Sequence, residues 1–133
     1  VLPAMLAVGG GTWIHLTSGA ATLDLRPGQP AWGLAYAMAK AAAHKIAGVL
    51  HATHGEPGLR AYNLNPGHTV TDVMRARAAS AGTEARGQSP ELSAAAVVWL
   101  AEQSELASSL AGREVYSRSL CEEHGLDVKE PEA

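Results

Sequence analysis

Two side chains that could exchange protons lie one helical turn apart in the segment Tyr36-Ala-Met-Ala-Lys40. Residues at positions i and i+4 share one face of a helix, so the phenol of Tyr36 can lie beside the ammonium of Lys40. A fixed cation beside a phenol favours the phenolate. The pair can therefore act as a general acid and base near neutral pH. Because YxxxK occurs often by chance, its weight depends on the residues around it.

Strands alternate with helices along the rest of the chain. Runs of β-branched and aromatic residues bounded by glycine and proline predict strands over residues 13–17, 59–64 and 114–117. A long helix is predicted over residues 34–53. Another helix begins at Ser89-Pro90-Glu91, where a capping serine, a first-position proline and an acidic first turn coincide. This alternation predicts an α/β fold, a parallel sheet of about three strands with helices on its faces.

Polar residues follow two of the predicted strands. Ser18 closes the first strand and Pro66-Gly67 closes the second, while the helix that joins them carries Tyr36 and Lys40. In an open α/β sheet, ligands bind at the carboxyl ends of the strands. These elements therefore predict that Ser18, Tyr36 and Lys40 share one site with the Pro66-Gly67 turn.

The start of the chain is interpreted as the end of a helix followed by a break at Gly9-Gly10-Gly11. A phosphate-binding loop follows a strand and opens a helix, whereas this triple glycine follows a helix and opens a strand, so we interpret it as an αβ turn. The first strand is expected to need a neighbour that this chain does not supply. We therefore expect the chain to be the C-terminal part of a longer protein.

Composition narrows the class of protein. Hydrophobic residues make up 47% of the 133 residues and charged residues 17%, which is typical of a globular domain. The net charge is -3, and the sequence has no basic stripe of the kind that binds a nucleic acid. No apolar run approaches the ~20 residues of a membrane span. A single cysteine, Cys121, excludes an internal disulfide and favours a reducing, cytoplasmic location.

Taken in order, these motifs resemble the C-terminal half of the short-chain dehydrogenase/reductase family. The resemblance covers nearly the whole chain and includes a serine after a strand, the YxxxK helix, a strand ending in Asn65-Pro66-Gly67 and a PGxxxT pattern from Pro66 to Thr71. It implies the C-terminal part of a Rossmann-type doubly wound parallel sheet. It also implies NAD or NADP as cofactor, a small-molecule alcohol or carbonyl as substrate, and a homo-oligomer when the protein is full length.

The resemblance also implies a role for each site residue. Tyr36 would exchange a proton with the substrate oxygen, Ser18 would position that oxygen, and Lys40 would favour the phenolate and bind the nicotinamide ribose. The cofactor-binding set would be completed by residues after the second strand, namely Pro66, Gly67, Thr69, Val70 and Thr71. Residues 72–87 would form a mobile substrate loop, and residues 121–133 a flexible tail.

Two departures leave alternatives open. The Gly-rich dinucleotide loop of the family is absent, and the eighteen-residue separation of Ser18 and Tyr36 exceeds the common spacing. The chain could therefore be a non-catalytic fragment or accessory module, or part of an epimerase or dehydratase that keeps the Tyr-Lys pair. Without that setting, Ser18 would be a turn or capping residue, and Tyr36 and Lys40 ordinary surface residues.

Histidines on the predicted helix were weighed as metal ligands. His44 and His51 share a helix face, and His51 and His54 form an i, i+3 pair. No carboxylate in the same helix completes a three-ligand site, so we predict no metal site and interpret these residues as surface or interface histidines. We expect His68, inside the PGxxxT pattern, to fill a loop position.

Overall fold

A three-stranded parallel sheet organises the molecule. The computed structural model describes residues 1–29, 32–55 and 58–128. Strands β1 (Gly11–Leu16), β2 (Leu59–Asn65) and β3 (Glu114–Tyr116) lie in the order β1-β2-β3, with β2 at the centre. Register is continuous along β1, where Gly11 pairs with Leu59 and Leu16 with Leu64. All three strands therefore end at the same edge of the sheet.

Helices connect the strands and cover both faces of the sheet. Their bounds in chain order are α1 (Leu2–Ala7), α2 (Leu34–His54), α3 (Asp72–Ser80), α4 (Pro90–Glu102), α5 (Ser104–Ser108) and α6 (Ser117–Glu123), with a short 3-10 turn at Gly19–Ala21 after β1. Helix α2 packs against β1 and β2, and α4 packs with α5 and α6. Among the described residues, no helix is long and apolar enough to cross a membrane.

The core lies between β2 and the helices α4 and α6. Tyr62 and Leu64 of β2 are fully buried there, and they pack with apolar residues from the helices, namely Leu92, Ala96, Trp99, Leu100 and Leu120. The opposite face of β2 carries Asn63, whose side chain bonds to α2. Because successive residues of a strand point to opposite faces, Tyr62 and Leu64 face the core helices whereas Asn63 faces α2.

Gly10 explains the glycine run before β1. It has φ +120°, and a Cβ atom at this position would lie 2.3 Å from the carbonyl oxygen of Gly58. The backbones of the two segments thus meet at the amino ends of β1 and β2, where the amide of Gly11 donates to the same oxygen at 3.2 Å. The glycine run follows α1 and opens β1, as the interpretation as an αβ turn requires.

Two segments differ from the sequence-based expectation. Residues 72–87, expected as a loop, contain helix α3, whose Thr71 accepts a hydrogen bond from the amide of Met74 and so caps it. The segment expected as a tail from Cys121 begins inside helix α6, where Cys121 is buried. Helix α3 buries no residue, so its polar sequence lacks the apolar face that identifies a helix. The predicted strands and the two long helices are otherwise confirmed.

Helix α2 exposes an apolar surface. Ala47 is its buried residue, while its larger apolar side chains are exposed at Leu34, Tyr36, Met38, Ile46 and Val49. Strand β1 is the edge of the sheet in this chain and is nowhere fully buried. The molecule thus presents one apolar helix and one sheet edge that its own described residues leave partly exposed.

Candidate functional site

The carboxyl edge of the sheet forms an open cavity of about 240 Å³. All three strand ends contribute to its lining, together with the loop between β1 and α2. The lining residues are Ser18, Gly19, Leu23, Trp32, Asn65, Gly67, His68 and Tyr116. Ser18 and Gly67, both predicted site residues, are therefore brought to one cavity. Tyr36 and Lys40 do not line it.

Ser18 follows the end of β1 in extended conformation and caps the 3-10 turn. Its Oγ accepts a hydrogen bond from the amide of Ala20 at 3.2 Å. The capping role considered from the sequence is thus present in the structure. A hydroxyl that accepts one hydrogen bond keeps its own proton to donate, so Ser18 can still bind an oxygen atom in the cavity.

Lys40 joins the first turns of α2 to the end of β1. Its Nζ donates to the carbonyl oxygen of Leu16 at 2.7 Å and lies 5.9 Å from the centre of the Tyr36 ring. The one-turn neighbourhood expected from YxxxK is therefore observed. Tyr36 itself is 47% exposed, which leaves its phenol open to a ligand.

A second bond ties α2 to the same strand end. Oγ1 of Thr17, which is 2% exposed, lies 2.8 Å from Nδ1 of His44. The carbonyl oxygen of His44 accepts from Nδ2 of Asn63 on β2 at 2.6 Å. His44, weighed above as a surface residue or metal ligand, thus holds α2 against two strands beside Ser18. No feature of the sequence pairs it with Thr17.

Asn65 fixes the end of β2. Its Nδ2 donates to Oε1 of Glu114 at 2.8 Å, and its Oδ1 accepts from the amide of Gly67 at 3.0 Å. Its carbonyl oxygen accepts from the hydroxyl of Ser117 at 3.2 Å. Because both ends of the side-chain amide are bonded within the protein, the orientation of Asn65 at the cavity is fixed.

The 66–71 loop is held largely by its own bonds. Oγ1 of Thr69 donates to the carbonyl oxygen of Pro66 at 2.9 Å. The amide of Val70 donates to the segment that follows α3 at 2.9 Å, and the hydroxyl of Thr71 caps α3. The cofactor contact expected from the Val70 amide would therefore compete with an existing bond, whereas the Thr71 hydroxyl accepts its capping bond and keeps a proton to donate.

Trp32 and Tyr116 line the cavity although the sequence-based site omitted them. Trp32 is 40% exposed and Tyr116 45% exposed, and Trp32 lies beside Gly19. Tyr116 ends β3, so the rule that selected Ser18 and Gly67 from strand ends identifies it as well. Trp32 lies in the loop before α2, where no strand end marks it.

His15 lies on β1 beside the helix that carries the proposed catalytic pair. Burial lowers the pKa of its imidazole, and the charges of Lys40 and His44 lower it further. Its Nε2 is buried without a hydrogen-bond partner. His15 is therefore held neutral. Within the described ranges, no group of three side chains is arranged to hold a metal ion.

Comparisons with known proteins agree on one fold. A protein described as a short chain dehydrogenase/reductase family protein is 28% identical, with a TM-score of 0.64 over 86% of this chain and 46% of its own. A 7α-hydroxysteroid dehydrogenase complexed with NADH and 7-oxo glycochenodeoxycholic acid is 26% identical, with a TM-score of 0.65 over 87% and 46%. The landomycin C-6 ketoreductase LanV with bound NADP and rabelomycin is 25% identical, with a TM-score of 0.60 over 87% and 44%.

These similarities confirm the resemblance to short-chain dehydrogenases/reductases and the Rossmann-type α/β fold. The chain spans about half the length of the solved structures that it matches. No protein-family model matches the chain, and no curated protein matches it.

Proposed function

We propose that this chain, similar to short-chain dehydrogenases/reductases over most of its length, is the catalytic half of an NAD(P)-dependent oxidoreductase. The reaction interconverts an alcohol and a carbonyl. The observation that carries the proposal is the bond from Lys40 to Leu16, which docks the turn bearing Tyr36 and Lys40 against the strand end that precedes Ser18. Proton-exchanging and oxygen-binding groups thus flank one edge of the sheet.

Each of the three side chains has a distinct role in this proposal. The exposed phenol of Tyr36 gives a proton to the substrate oxygen in reduction and takes it back in oxidation. Ser18 donates its free hydroxyl proton to the same oxygen and orients it. Lys40 places its ammonium 5.9 Å from the centre of the Tyr36 ring and offers hydrogen-bond donors to the cofactor. Tyr36 lies outside the cavity lining, so the substrate oxygen sits at the cavity mouth on the α2 side.

The residues present fit the nicotinamide end of a dinucleotide. Lys40 uses one of its three ammonium protons on Leu16, which leaves two for ribose hydroxyls. Gly67, which follows Pro66, lines the cavity with φ +63°. NAD or NADP supplies the hydride when bound. Bound NADH and NADP in two similar structures support this choice of cofactor class.

The cavity favours a neutral substrate with an apolar body. Leu23, Trp32 and Tyr116 supply apolar surface, and none of the lining residues carries a fixed charge. The polar groups of the lining are the Ser18 hydroxyl, the Asn65 amide, the Tyr116 hydroxyl and the rings of Trp32 and His68. Such a site suits a largely apolar ligand that carries a few polar groups.

Two further parts of the molecule have proposed roles, the segment 72–87 and the exposed face of α2. We assign residues 72–87, which include α3, to the lid over the substrate, because the segment leaves and rejoins the fold beside the cavity. The apolar residues of α2, such as Met38 and Val49, are assigned to contact with a second subunit. Size-exclusion chromatography of the protein showing only monomer would contradict the second assignment.

A non-catalytic module is the second candidate. It is favoured by the engagement of the Val70 amide in a bond to the carbonyl oxygen of Gln88. An epimerase or dehydratase with the same Tyr36–Lys40 pair can be distinguished from the oxidoreductase by an assay of net cofactor turnover, which only the oxidoreductase should show.

Dinucleotide titration separates the first two candidates. NADH and NADPH are titrated against the protein that contains this chain while energy transfer from tryptophan is followed, since Trp32 lines the proposed site. Saturable binding is expected, together with its loss in Lys40→Met and its retention in Lys45→Met, which changes an exposed lysine on the same helix. Absence of saturable binding would favour the non-catalytic module.

A further inference from the structure

Gln88 is buried between the 66–71 loop and the start of α4. It is 7% exposed, and it follows the segment 72–87, far along the chain from the loop that it touches. Buried amide side chains are normally bonded to specific partners, because leaving them unpaired is costly. Every partner that the structure gives to Gln88 lies in the 66–71 loop.

Three hydrogen bonds join Gln88 to this loop. Its side-chain Nε2 donates to the carbonyl oxygen of Pro66. Its backbone amide donates to the carbonyl oxygen of His68 at 2.8 Å, and its carbonyl oxygen accepts from the amide of Val70 at 2.9 Å. Thr69 and Gln88 thereby form a parallel bridge outside the main sheet. One residue therefore fixes both sides of the loop.

Gly67 is shaped to receive this side chain. A Cβ atom on Gly67 would lie 2.9 Å from Nε2 of Gln88 and 3.1 Å from its Cδ. The φ of Gly67 is +63°, a conformation that side-chain-bearing residues adopt at a cost. The glycine of the PGxxxT pattern is thus required on the side facing Gln88, independently of any ligand on the cavity side.

We infer that Gln88 is a positioning residue that holds the 66–71 loop in its ligand-binding conformation. It also closes the base of the 72–87 segment, because Val70 precedes the segment and Gln88 follows it. The inference rests on the proposed function, since it assigns the loop to a nicotinamide dinucleotide. Gln88 acts through the loop and does not touch the reacting atoms.

The expected loss of dinucleotide affinity depends on how often the 66–71 loop is ordered. A ligand that needs the ordered loop binds with an apparent affinity reduced by the fraction of molecules in which the loop is ordered. Replacing the Nε2 donor by a carboxylate oxygen, as in Gln88→Glu, places two acceptors against each other and leaves the carbonyl of Pro66 only its bond from Thr69. An effect of at least roughly tenfold on dinucleotide affinity is expected from the loss of such a buried bond.

The test compares Gln88→Glu with Gln103→Glu, which makes the same chemical change at an exposed position after α4. Two quantities are measured on each protein: the Kd for NADH and NADPH, and the hydrogen exchange of the Val70 and Gln88 amides. Exchange of α4 amides reports whether the fold is intact. Gln88→Met keeps the length of the side chain without adding a charge. It serves as the test variant if Gln88→Glu does not fold.

We expect Gln88→Glu to raise the Kd for the dinucleotide at least tenfold and to accelerate hydrogen exchange of the Val70 and Gln88 amides. Exchange of the α4 amides should be unchanged, and Gln103→Glu should behave like the parent protein. In turnover, the KM for dinucleotide should rise more than kcat falls, a split that loss of global stability does not produce. Equal Kd values in Gln88→Glu and the parent would overturn the inference. Absence of binding by the parent would overturn the proposed function, and the role of Gln88 with it.

Discussion

Thr17 and His44 are joined by a hydrogen bond of 2.8 Å, which connects the buried residue directly after β1 to the middle of helix α2. Ser18 follows Thr17 directly, and Lys40 precedes His44 by one turn. The bond therefore sets the distance between the two elements that carry the proposed catalytic groups. A residue that resembled a surface histidine in the sequence positions the site.

His44→Leu is expected to destabilise the protein by about 1–3 kcal/mol, because the buried hydroxyl of Thr17 loses its partner. Urea unfolding measures the change. His51→Leu is the matched control, since His51 is exposed on the same helix and should change the free energy of unfolding by less than about 0.5 kcal/mol. Equal effects of the two substitutions would show that the Thr17–His44 bond contributes nothing.

The sequence was sufficient to predict the elements whose pattern is strong. Strand β2 carries a continuous run of buried residues between turn signals, and α4 begins with a complete capping signature. The motif order placed Ser18 and Gly67 at strand ends, where the structure finds them beside one cavity. Local signals and chain order were enough for these features.

The remainder could not be predicted because it depends on contacts between distant residues. Helix α3 buries nothing, so its polar composition favoured a loop. Thr17 and His44 are 27 residues apart, and Pro66 and Gln88 are 22 apart; no local pattern marks either pair. Trp32 lines the cavity from the loop before α2 and lies beside Gly19, a contact that no local pattern marks.

Gly10→Ala should be much more costly than Gly9→Ala. Both glycines have positive φ, +120° and +90°, so each substitution should cost about 1–2 kcal/mol in backbone strain. Only at Gly10 would the new Cβ meet the backbone of Gly58, at 2.3 Å, since Gly9 has nothing within 4 Å. An additional loss of at least about 2 kcal/mol is expected in thermal or urea unfolding. Similar losses at both positions would contradict the close approach of the two strands.

Acid should destabilise the protein in part through His15. Burial and the charges of Lys40 and His44 lower the pKa of His15 below its ordinary value of 6.5. The unfolded chain therefore binds a proton at a pH where the folded protein does not. The stability contributed by neutral His15 is complete above pH 6.5 and is lost as the pH falls toward and through the lowered folded value.

Urea unfolding between about pH 7.5 and pH 5 checks this dependence. His15→Gln removes the titrating group and should flatten the decline in the free energy of unfolding. His51→Gln, at an exposed position on α2, should leave the decline unchanged. An unaltered decline in His15→Gln would assign the acid sensitivity to other groups.

Lys40→Met should impair function with little loss of stability, because Lys40 donates its bond to Leu16 at an exposed position and such bonds contribute modestly to folding. The expected result is at least a tenfold fall in kcat/KM, since Lys40 is proposed both to hold the turn that bears Tyr36 against the end of β1 and to bind the ribose. Lys45→Met is the control. A Lys40→Met protein with parental kinetics would remove Lys40 from the site.

The central claim is that Tyr36 exchanges the proton that accompanies hydride transfer. The most direct measurement is the rate of NADH or NADPH oxidation with a neutral cyclic ketone, such as cyclohexanone, in the protein that contains this chain. Tyr36→Phe is compared with Tyr62→Phe, which removes the same hydroxyl from a buried tyrosine bonded to Ala107. Tyr36→Phe is expected to lower kcat by roughly 10²-fold or more while dinucleotide affinity persists, and Tyr62→Phe is expected to retain turnover. Retained turnover in Tyr36→Phe would show that Tyr36 does not exchange this proton.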